Sequence, residues 1–189
     1  MFFLHNHLLF NSVKIFLNIF PVENISFYNN EITLTVKAQH ILNVLKFLKQ
    51  HSHCQYHILV SLTAVDYLQQ LNRFELNYEL LSLTFNNRLR IKIYLNELEL
   101  INSCEKLFSA ASWYECEVWD MFGIYFSNHT NLKRILTDYG FEGYPLRKDF
   151  PLCGFIDIKY HELHKRIVTN SIELAQEYRT FNFLSPWEV

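Results

Sequence analysis

Residues 111–155 read ASWYECEVWDMFGIYFSNHTNLKRILTDYGFEGYPLRKDFPLCGF, and this stretch divides the chain into two parts of different composition. The chain has four glycines, and all of them lie here: Gly123, Gly140, Gly143 and Gly154. Glycine is favoured where the backbone turns sharply or where another group lies against it. The composition therefore predicts a globular domain over residues 1–123, whose only glycine is its last residue, followed by a turn-rich loop and an extended C-terminal arm over residues 124–189.

The first part of this stretch has the pattern of a helix. Ser112 and Glu115 have the spacing of a capping box, in which each side chain bonds a backbone N–H group at the helix start. An apolar face recurs at helical spacing and consists of Tyr114, Val118, Met121 and Phe122. Gly123 occupies the position where a C-terminal cap is expected. We therefore predict a helix that begins near Ser112 and ends at Gly123.

The second part of the stretch is rich in turns and in aromatic rings. Residues 139–155 hold three glycines together with Pro145 and Pro151, which argues against a long helix or a central strand. The same segment carries five aromatic residues: Tyr139, Phe141, Tyr144, Phe150 and Phe155. Each ring can bury ~150–250 Å², and a loop cannot bury five rings within itself. We therefore expect these rings to dock on this domain or on another protein.

Several motifs follow one another in a fixed order along the chain. They are ECEVWDMFG at 115–123, His129, LKRIL at 132–136, TDYGFEGYPLRKDFPL at 137–152 and QEYRTFNFLSPWE at 176–188. In this order they resemble the signature of the 30 kDa subunit family of respiratory complex I, which includes mitochondrial NADH dehydrogenase subunit nine and its bacterial counterparts. The resemblance is strong over residues 111–188 and weaker but continuous over 39–110.

The sequence departs from this family pattern at two positions. Cys116 stands where the family has arginine, and Thr130 stands where the family has proline. An arginine can make a bidentate contact with a carboxylate, which a thiol cannot. We therefore expect a neighbouring acid to be solvated or paired differently, and we expect the substitution Cys116→Arg to be tolerated.

The resemblance implies a cofactor-free structural and assembly subunit of the peripheral (matrix) arm of proton-pumping NADH:ubiquinone oxidoreductase. It implies packing on the 49 kDa-type quinone-module subunit, with no catalytic, cofactor-binding or metal-binding residue on this chain. NADH, FMN, the iron–sulfur clusters and ubiquinone then belong to other subunits. Because the N-terminal residues lack the pattern of a targeting segment, we expect an organelle-encoded chain on the matrix side of the mitochondrial inner membrane. The alternative is the cytoplasmic face of a bacterial plasma membrane.

The resemblance also assigns a set of signature residues to the interface with other subunits. They are Glu115, Glu117, Asp120, Gly123, His129, Arg134, Asp138, Gly140, Gly143, Pro145, Arg147, Lys148, Asp149 and Pro151. An alternative from another class is a metal-dependent hydrolase that uses His129 with Glu117 and Asp120, because carboxylates and histidine can perform acid–base catalysis. A third hypothesis keeps the family but places the chain in a related hydrogenase or plastoquinone-reducing complex. The ending FLSPWEV favours the mitochondrial type.

Composition limits the function classes that are possible. The net charge of −2 over 189 residues gives no basic surface for nucleic acid and no polybasic membrane anchor. The four cysteines are scattered without a CxxC motif, so a zinc or iron–sulfur framework is not supported. No apolar run approaches the length of a transmembrane helix. A histidine-rich segment, His51 to His57, is read as a polar loop and strand edge rather than as a metal site.

The remaining segments predict an α+β fold with a mostly antiparallel sheet and flanking helices. The predicted elements are an amphipathic helix at 2–20, a hairpin at 24–37 around Asn29-Asn30, a helix at 39–50, a buried strand at 55–65, a hairpin at 73–95 around Asn86-Asn87, a helix over Leu98–Phe108 and a strand at 155–160. Asp66, which follows the buried strand, is read as a turn residue. Strand-rich runs between helices, without a βαβ rhythm, are typical of the α+β class.

Overall fold

The computed structural model describes residues 21–29 and 31–179, together with 181, 183, 185 and 187. The helix predicted at residues 2–20 lies outside the described residues. The chain divides into two compact units, one that ends at Phe150 and one that runs from Pro151 to Val189. The boundary therefore lies after Phe150 rather than after Gly123, because residues 124–150 pack with the first unit. We call residues 124–150 the signature loop.

The first unit is built around a five-stranded sheet of order β1-β2-β5-β4-β3. The strands are β1 (Val22–Tyr28), β2 (Glu31–Val36), β3 (Ile58–Asp66), β4 (Phe74–Ser82) and β5 (Asn87–Leu95). Within this sheet, all pairings are antiparallel except that of β2 with β5. Both predicted hairpins are confirmed, and Asn29 and Asn86 adopt a positive φ in their turns, which asparagine tolerates better than most residues.

Two helical segments cover the apolar face of this sheet. A 3₁₀ turn (Ala38–His40) leads into α1 (Ile41–Gln50), which confirms the predicted helix at 39–50. The leucines and isoleucines of β5 alternate with three charged residues and Tyr94, and its apolar side is buried in the core. On the opposite face, Glu75 of β4 is also buried and pairs with Lys92 at 2.8 Å. The predicted charged face is therefore present, although it is partly covered.

The strand that the sequence placed at 55–65 is not a strand buried on both faces. It begins only at Ile58, because Gln55 has a φ of +47° and breaks the extended backbone. It lies at the edge of the sheet, and only Leu59, Leu62 and Asp66 are buried along it. The apolar run QYHILV was misleading because an edge strand can keep Ile58 and Val60 partly exposed.

The helix α2 (Ala111–Phe122) opens the stretch that joins the sheet to the signature loop. Its end is as predicted: Gly123 has a φ of +80° and donates its N–H to the carbonyl of Trp119. The predicted capping box is wrong. The N-cap is Ala110, and among the described residues no side chain caps the helix, because the carboxylate of Glu115 is buried and accepts hydrogen bonds from another segment, described below.

The helix predicted over Leu98–Phe108 is also wrong. The segment instead contains one short strand, β6 (Ile101–Asn102), which pairs in parallel with β7 (Phe126–Ser127). The backbone N–H of Ser103 donates to the carbonyl of Ser127 at 2.9 Å. Pairing with the segment after Gly123 therefore replaced helical hydrogen bonds that the local sequence could have formed.

The second unit contains one antiparallel hairpin in its described part, formed by β8 (Ile156–His161) and β9 (Arg166–Ser171). The strand predicted at 155–160 is therefore confirmed to within one residue. Lys165 takes a positive φ of +48° in the connecting turn. Across the described parts of both units, no helix combines the length and the hydropathy that a bilayer crossing requires.

Candidate functional site: a signature loop held by buried acids

Asp120 of α2 holds the middle of the signature loop. Its side chain is fully buried and accepts five hydrogen bonds. They come from the Nη1 atom of Arg134 at 3.0 Å, the hydroxyl of Thr137 at 2.7 Å, and the backbone N–H groups of Ile135, Leu136 and Thr137 at 3.1, 2.8 and 3.0 Å. Burial alone would raise the pKa of Asp120, but the hydrogen bonds outweigh it, so its pKa is lowered. Asp120 is therefore an ionised carboxylate.

Arg134 extends this attachment to the second half of the loop. Its Nη1 and Nη2 atoms both lie 3.1 Å from the carbonyl oxygen of Gly143, to which they donate. The guanidinium also lies over three rings, those of Tyr144, Trp119 and Phe141, at 5.3, 5.7 and 6.0 Å. An arginine held between a carboxylate, a carbonyl and aromatic faces uses both its planar hydrogen-bonding geometry and cation–π attraction.

Gly143, whose carbonyl accepts hydrogen bonds from Arg134, occupies a position that only glycine fits. Both its backbone conformation and the space around it exclude a side chain. Its φ is +97°, and a Cβ atom there would lie 2.8 Å from the Cε2 atom of Phe150. An L-residue would therefore be strained and would also collide with the ring. The predicted role of Gly143 in a sharp turn with a close neighbour agrees with this geometry.

Asp66 forms a second attachment, and the reading of this residue as a turn residue is wrong. It ends β3, is buried, and accepts a bidentate pair of hydrogen bonds from Arg73 at 2.8 and 2.9 Å. It also accepts the backbone N–H of Lys148 from the signature loop at 2.8 Å. The hydrogen bonds of Arg73 lower the pKa of Asp66, and burial opposes them only in part. Arg73 in turn pairs with Asp149 at 2.9 Å.

Arg147 lies between these two attachments. Its Nε atom donates to the carbonyl of Phe122 at 2.6 Å, and its Nη1 atom pairs with Glu97 at 2.5 Å. Its guanidinium is 4.7 Å from the ring centroid of Tyr144. A Cβ atom on Gly123 would lie 2.7 Å from both Arg147 and Tyr144. The helix end and the loop are therefore packed against each other without room for a side chain at position 123.

Glu115 is the third buried acid, and its surroundings differ from those of the two aspartates. Its Oε1 atom accepts the backbone N–H of Cys104 at 2.8 Å and the thiol of the same residue at 3.2 Å. Its Oε2 atom is buried and accepts no hydrogen bond within the described part of the chain. Burial raises the pKa of Glu115, and the hydrogen bonds from Ser103 and Cys104 offset this only in part.

His129 lies beside Glu115, with its Nε2 atom 3.9 Å from the Oε2 atom and its side chain 1% exposed. The Nε2 atom is 3.2 Å from the carbonyl oxygen of Ser112. The Nδ1 atom accepts the backbone N–H of Asn131 at 3.1 Å. His129 thus connects the start of the signature loop to the first turn of α2.

The two departures from the family pattern both lie near His129. Cys116 is buried; its thiol donates to the carbonyl of Asn131 at 3.6 Å and lies 4.0 Å from the Nε2 atom of His129. The neighbouring acid, Glu115, is paired with Cys104 as described above, while tolerance of Cys116→Arg stays a prediction. Thr130 donates its backbone N–H and its hydroxyl to Glu105 at 3.0 and 2.7 Å. A proline could make neither hydrogen bond.

The structure brings together many of the residues singled out from the sequence, in three groups. Asp120, Arg134 and Gly143 form the first, Glu115 and His129 the second, and Gly123, Arg147, Lys148 and Asp149 the third. Outside these groups lie Glu117, Asp138, Gly140, Pro145 and Pro151, of which all but the half-buried Pro145 are exposed. The proposed hydrolase triad is not assembled, because His129 lies beside Glu115 while Asp120 is saturated by donors. No group of three or more His, Cys, Asp or Glu suited to a metal occurs in the described ranges.

Sequence reasoning missed several partners of these groups, above all Arg73 and Glu97. One signal could have revealed Arg73. In the hairpin of β3 and β4, Asp66 pairs with Phe74, so Arg73 directly precedes the residue opposite Asp66. An acid and a cation at the two ends of one hairpin loop favour an ion pair. The contact of Glu97 with Arg147 joins distant segments and has no comparable local signal.

The five aromatic rings of residues 139–155 fall into different environments. Phe141, Tyr144 and Phe150 are half-buried in the first unit, which confirms docking on the chain's own domain for these three. Tyr139 is fully exposed and Phe155 is 60% exposed. For these two rings, docking on another protein stays a prediction.

Comparison with known proteins agrees with this arrangement. The family described as respiratory-chain NADH dehydrogenase, 30 Kd subunit, matches residues 34–155. NADH-ubiquinone oxidoreductase subunit 9 of Reclinomonas americana is 48% identical over 174 residues, which cover 91% of this chain and 85% of that one. A subunit of the NADH-quinone oxidoreductase of Rhodobacter capsulatus is 50% identical over 158 residues, covering 84% and 79% of the two chains.

A solved structure is similar in fold as well. A chain of the membrane-bound sulfane sulfur reductase, described as an archaeal respiratory membrane complex, has a TM-score of 0.65 at 26% identity. The match covers 75% of this chain and 85% of that chain. With the family match over the sheet and the signature loop, these likenesses place the chain among the complex I proteins: it belongs to the family of the 30 kDa subunit of respiratory-chain NADH dehydrogenase.

Proposed function

We propose that this chain is a cofactor-free structural subunit of a membrane-associated NADH:ubiquinone oxidoreductase of the mitochondrial type. In this proposal it lies on the matrix side, packs on the 49 kDa-type quinone-module subunit and is needed for assembly of the complex. The single observation that carries the proposal is the exposed apolar face of the β8–β9 hairpin. The signature loop supports it, because a loop fixed by buried acids presents a rigid surface to a partner.

The register of the hairpin places its large apolar side chains on one face. Ile158 is opposite Thr169, and Tyr160 is opposite Ile167. Residues of one strand alternate between faces, so Ile156, Ile158, Tyr160 and Ile167 share a face. Their exposed fractions are 60, 52, 62 and 69%. The other face carries Asp157, Lys159, His161, Arg166, Val168 and Asn170.

Such a hairpin needs a second surface for stability. An isolated two-stranded hairpin is marginally stable in water, and units below about 40 residues rarely bury enough area to fold alone. The unit from Pro151 to Val189 is of that size, and none of its described residues is buried. An apolar surface on a neighbouring subunit would cover the hairpin face, which is the role that the proposal gives to the quinone-module subunit.

The cysteines of this chain suit the cofactor-free part of the proposal. Iron–sulfur clusters are held by cysteine thiolates that lie close together. Cys54 and Cys104 are buried, and burial raises the pKa of Cys54 to about 11 and also raises that of Cys104. Cys153 is exposed in the second unit. These residues do not provide the donor set of a cluster, so the chain is assigned the mechanical role of positioning neighbours that carry electrons.

The proposal is tested by ending the chain after Phe150 in an organism that lacks the wild-type copy. The contacts described above for the signature loop lie within residues 1–150, so we expect the truncated chain to fold and to accumulate. Native gels of the membranes should lack the assembled complex, and NADH:ubiquinone reductase activity should be lost. Normal assembly with the truncated chain would overturn the proposal.

A matched pair of substitutions tests the face itself. Ile167 and Val168 are neighbours in β9 and point to opposite faces. Ile167→Asp places a charge in the proposed contact, whereas Val168→Asp places the same charge on the polar face. We expect the first substitution to reduce incorporation into the complex at least tenfold and the second to leave it nearly unchanged. Mass spectrometry of the complex purified through the wild-type chain identifies the neighbours and distinguishes the NADH-oxidising complex from a related hydrogenase.

A further inference from the structure

We infer that Glu115 is a buried proton-binding site: it forms a neutral carboxylic acid beside a neutral His129, rather than an ion pair. The distance of 3.9 Å between the Oε2 atom of Glu115 and the Nε2 atom of His129 could suggest an ion pair. The hydrogen bonds around the imidazole and the carboxyl group show why the neutral pair is favoured.

The imidazole is held in one neutral tautomer by its two neighbours. Its Nδ1 atom faces the backbone N–H of Asn131 at 3.1 Å, so this nitrogen accepts a hydrogen bond and carries no proton. Its Nε2 atom faces the carbonyl oxygen of Ser112 at 3.2 Å, so this nitrogen donates. An imidazolium would carry a proton on both nitrogens, and the Nδ1 proton would then point at the N–H of Asn131. His129 is therefore neutral.

A neutral His129 leaves the carboxyl group of Glu115 without a cation. The side chain has no exposed area, and its Oε2 atom accepts no hydrogen bond from any residue that the structure describes. An ionised carboxylate that is buried without a cation, and with one of its oxygens lacking a hydrogen bond, is strongly destabilised and binds a proton instead.

The other ionisable groups near this pair do not supply a positive charge. The thiols of Cys104 and Cys116 and the phenol of Tyr78 are neutral in their ordinary forms. The carboxylate of Glu105, which accepts hydrogen bonds from Thr130, carries a negative charge. A proton on Glu115 is therefore the remaining way to neutralise its carboxyl group.

The protonation state of Glu115 affects how the start of the signature loop is attached to α2. In an ion pair with Glu115, by contrast, the imidazole of His129 would carry a proton on both nitrogens. Such an imidazolium could not accept the N–H of Asn131, so the hydrogen bond between His129 and Asn131 would be lost. Formation of the ion pair would therefore loosen the start of the signature loop at the point where it meets α2.

Infrared spectroscopy of the purified full-length chain at neutral pH tests the proton on Glu115. We expect a carbonyl band of a protonated carboxylic acid that shifts in D₂O and is absent from the Glu115→Gln variant. The matched control is Glu117→Gln on the exposed side of the same helix, which should keep the band. Absence of the band from the wild-type chain, or its persistence in Glu115→Gln, would overturn the inference.

Nitrogen NMR of His129 in the wild-type chain gives a second readout that does not depend on any variant folding. We expect the shifts of a neutral imidazole protonated at Nε2 and unprotonated at Nδ1, together with a scalar coupling from the N–H of Asn131 to Nδ1. An imidazolium at neutral pH would show that the pair is ionic and would overturn the inference.

Discussion

Asp120 and Glu115 lie on the same helix, and both side chains are fully buried, yet their charges are set in opposite ways. Asp120 receives five hydrogen bonds from the signature loop, and its pKa is lowered. Glu115 has one oxygen bonded to Cys104 and one with no partner among the described residues, and its pKa is raised. Burial favours the neutral form of both acids. The number of donors aimed at each carboxyl group therefore decides its charge, and the charge decides how the loop is attached.

The comparison also explains why the signature loop needs so little regular structure. Its residues, all of which the structure describes, form no strand after Ser127, but backbone N–H groups at 135–137 and at Lys148 donate to Asp120 and Asp66. Buried backbone groups have to be paired, and here side-chain carboxylates take the place of a sheet. A loop attached in this way has a defined path and can serve as part of an interface.

Removal of the charge at Asp120 should have the largest effect. Asp120→Ala leaves Arg134 without its carboxylate and three backbone N–H groups without an acceptor, so we expect a loss of about 3–5 kcal/mol in the free energy of unfolding. Urea unfolding of the purified chain measures this. The control Glu117→Ala, on the exposed side of the same helix, should change stability by less than about 0.5 kcal/mol. Equal losses in both variants would show that the hydrogen bonds to Asp120 do not hold the signature loop.

Substitution of the two glycines of the signature loop tests how closely the part of the loop that Asp120 and Arg134 hold is packed. Gly143→Ala meets both a positive φ and a collision with Phe150, so we expect a loss of about 2–3 kcal/mol. Gly140→Ala has a positive φ but open space around it, so about 1 kcal/mol is expected. Thermal unfolding of the two variants checks the difference, and a larger loss at Gly140 would contradict the packing described for Gly143.

The pH dependence of stability should differ in sign between the two kinds of acid. The pKa values of Asp120 and Asp66 are lowered from 3.8. The stability that these two carboxylates give to the folded state is therefore fully present above pH 3.8 and is lost as the pH falls through their pKa values in the folded state. The pKa of Glu115 is raised from 4.5. The stability that its protonated form gives to the folded state is therefore fully present below pH 4.5 and is lost as the pH rises through its pKa in the folded state.

Urea unfolding across the pH range separates these two contributions. Asp66→Asn should flatten the acid limb of the stability profile, and Glu115→Gln should flatten the limb at higher pH. The expected result is that each variant alters only its own limb. If Glu115→Gln left the stability profile above the ordinary glutamate pKa of 4.5 unchanged, the contrast between the two acids would not hold.

The smallest loss of stability is expected for Glu115→Gln at neutral pH. Glutamine has the shape of the protonated acid, its oxygen can still accept the N–H of Cys104, and its neutral amide takes up no proton on folding, so we expect the free energy of unfolding to be equal to or higher than that of the wild type. Glu115→Ala removes that acceptor and leaves a cavity, so a loss of about 2–3 kcal/mol is expected. Urea unfolding of both variants distinguishes a neutral Glu115 from an ionised one, since an ionised Glu115 would predict a large loss for glutamine as well.

Local patterns predicted much of the fold but few of the contacts at the site. The two asparagine turns, the helix α1 and the end of α2 at Gly123 depend on neighbouring residues, and the structure confirms them. The capping box at Ser112 failed because Cys104, which is distant from it in sequence, offers Glu115 a better-placed donor. The helix over Leu98–Phe108 failed because its backbone pairs with residues after Gly123.

Residue order and spacing are enough to predict the hairpins, the helix periods, the position of the turn-rich stretch and the family. The ionised acids, the attachment of the loop to Asp66 and the continuation of the compact unit to Phe150 depend on contacts made in the folded molecule. The physical reason is that a buried carboxyl group takes its charge from donors in distant segments. Those donors meet the acid only after the chain has folded.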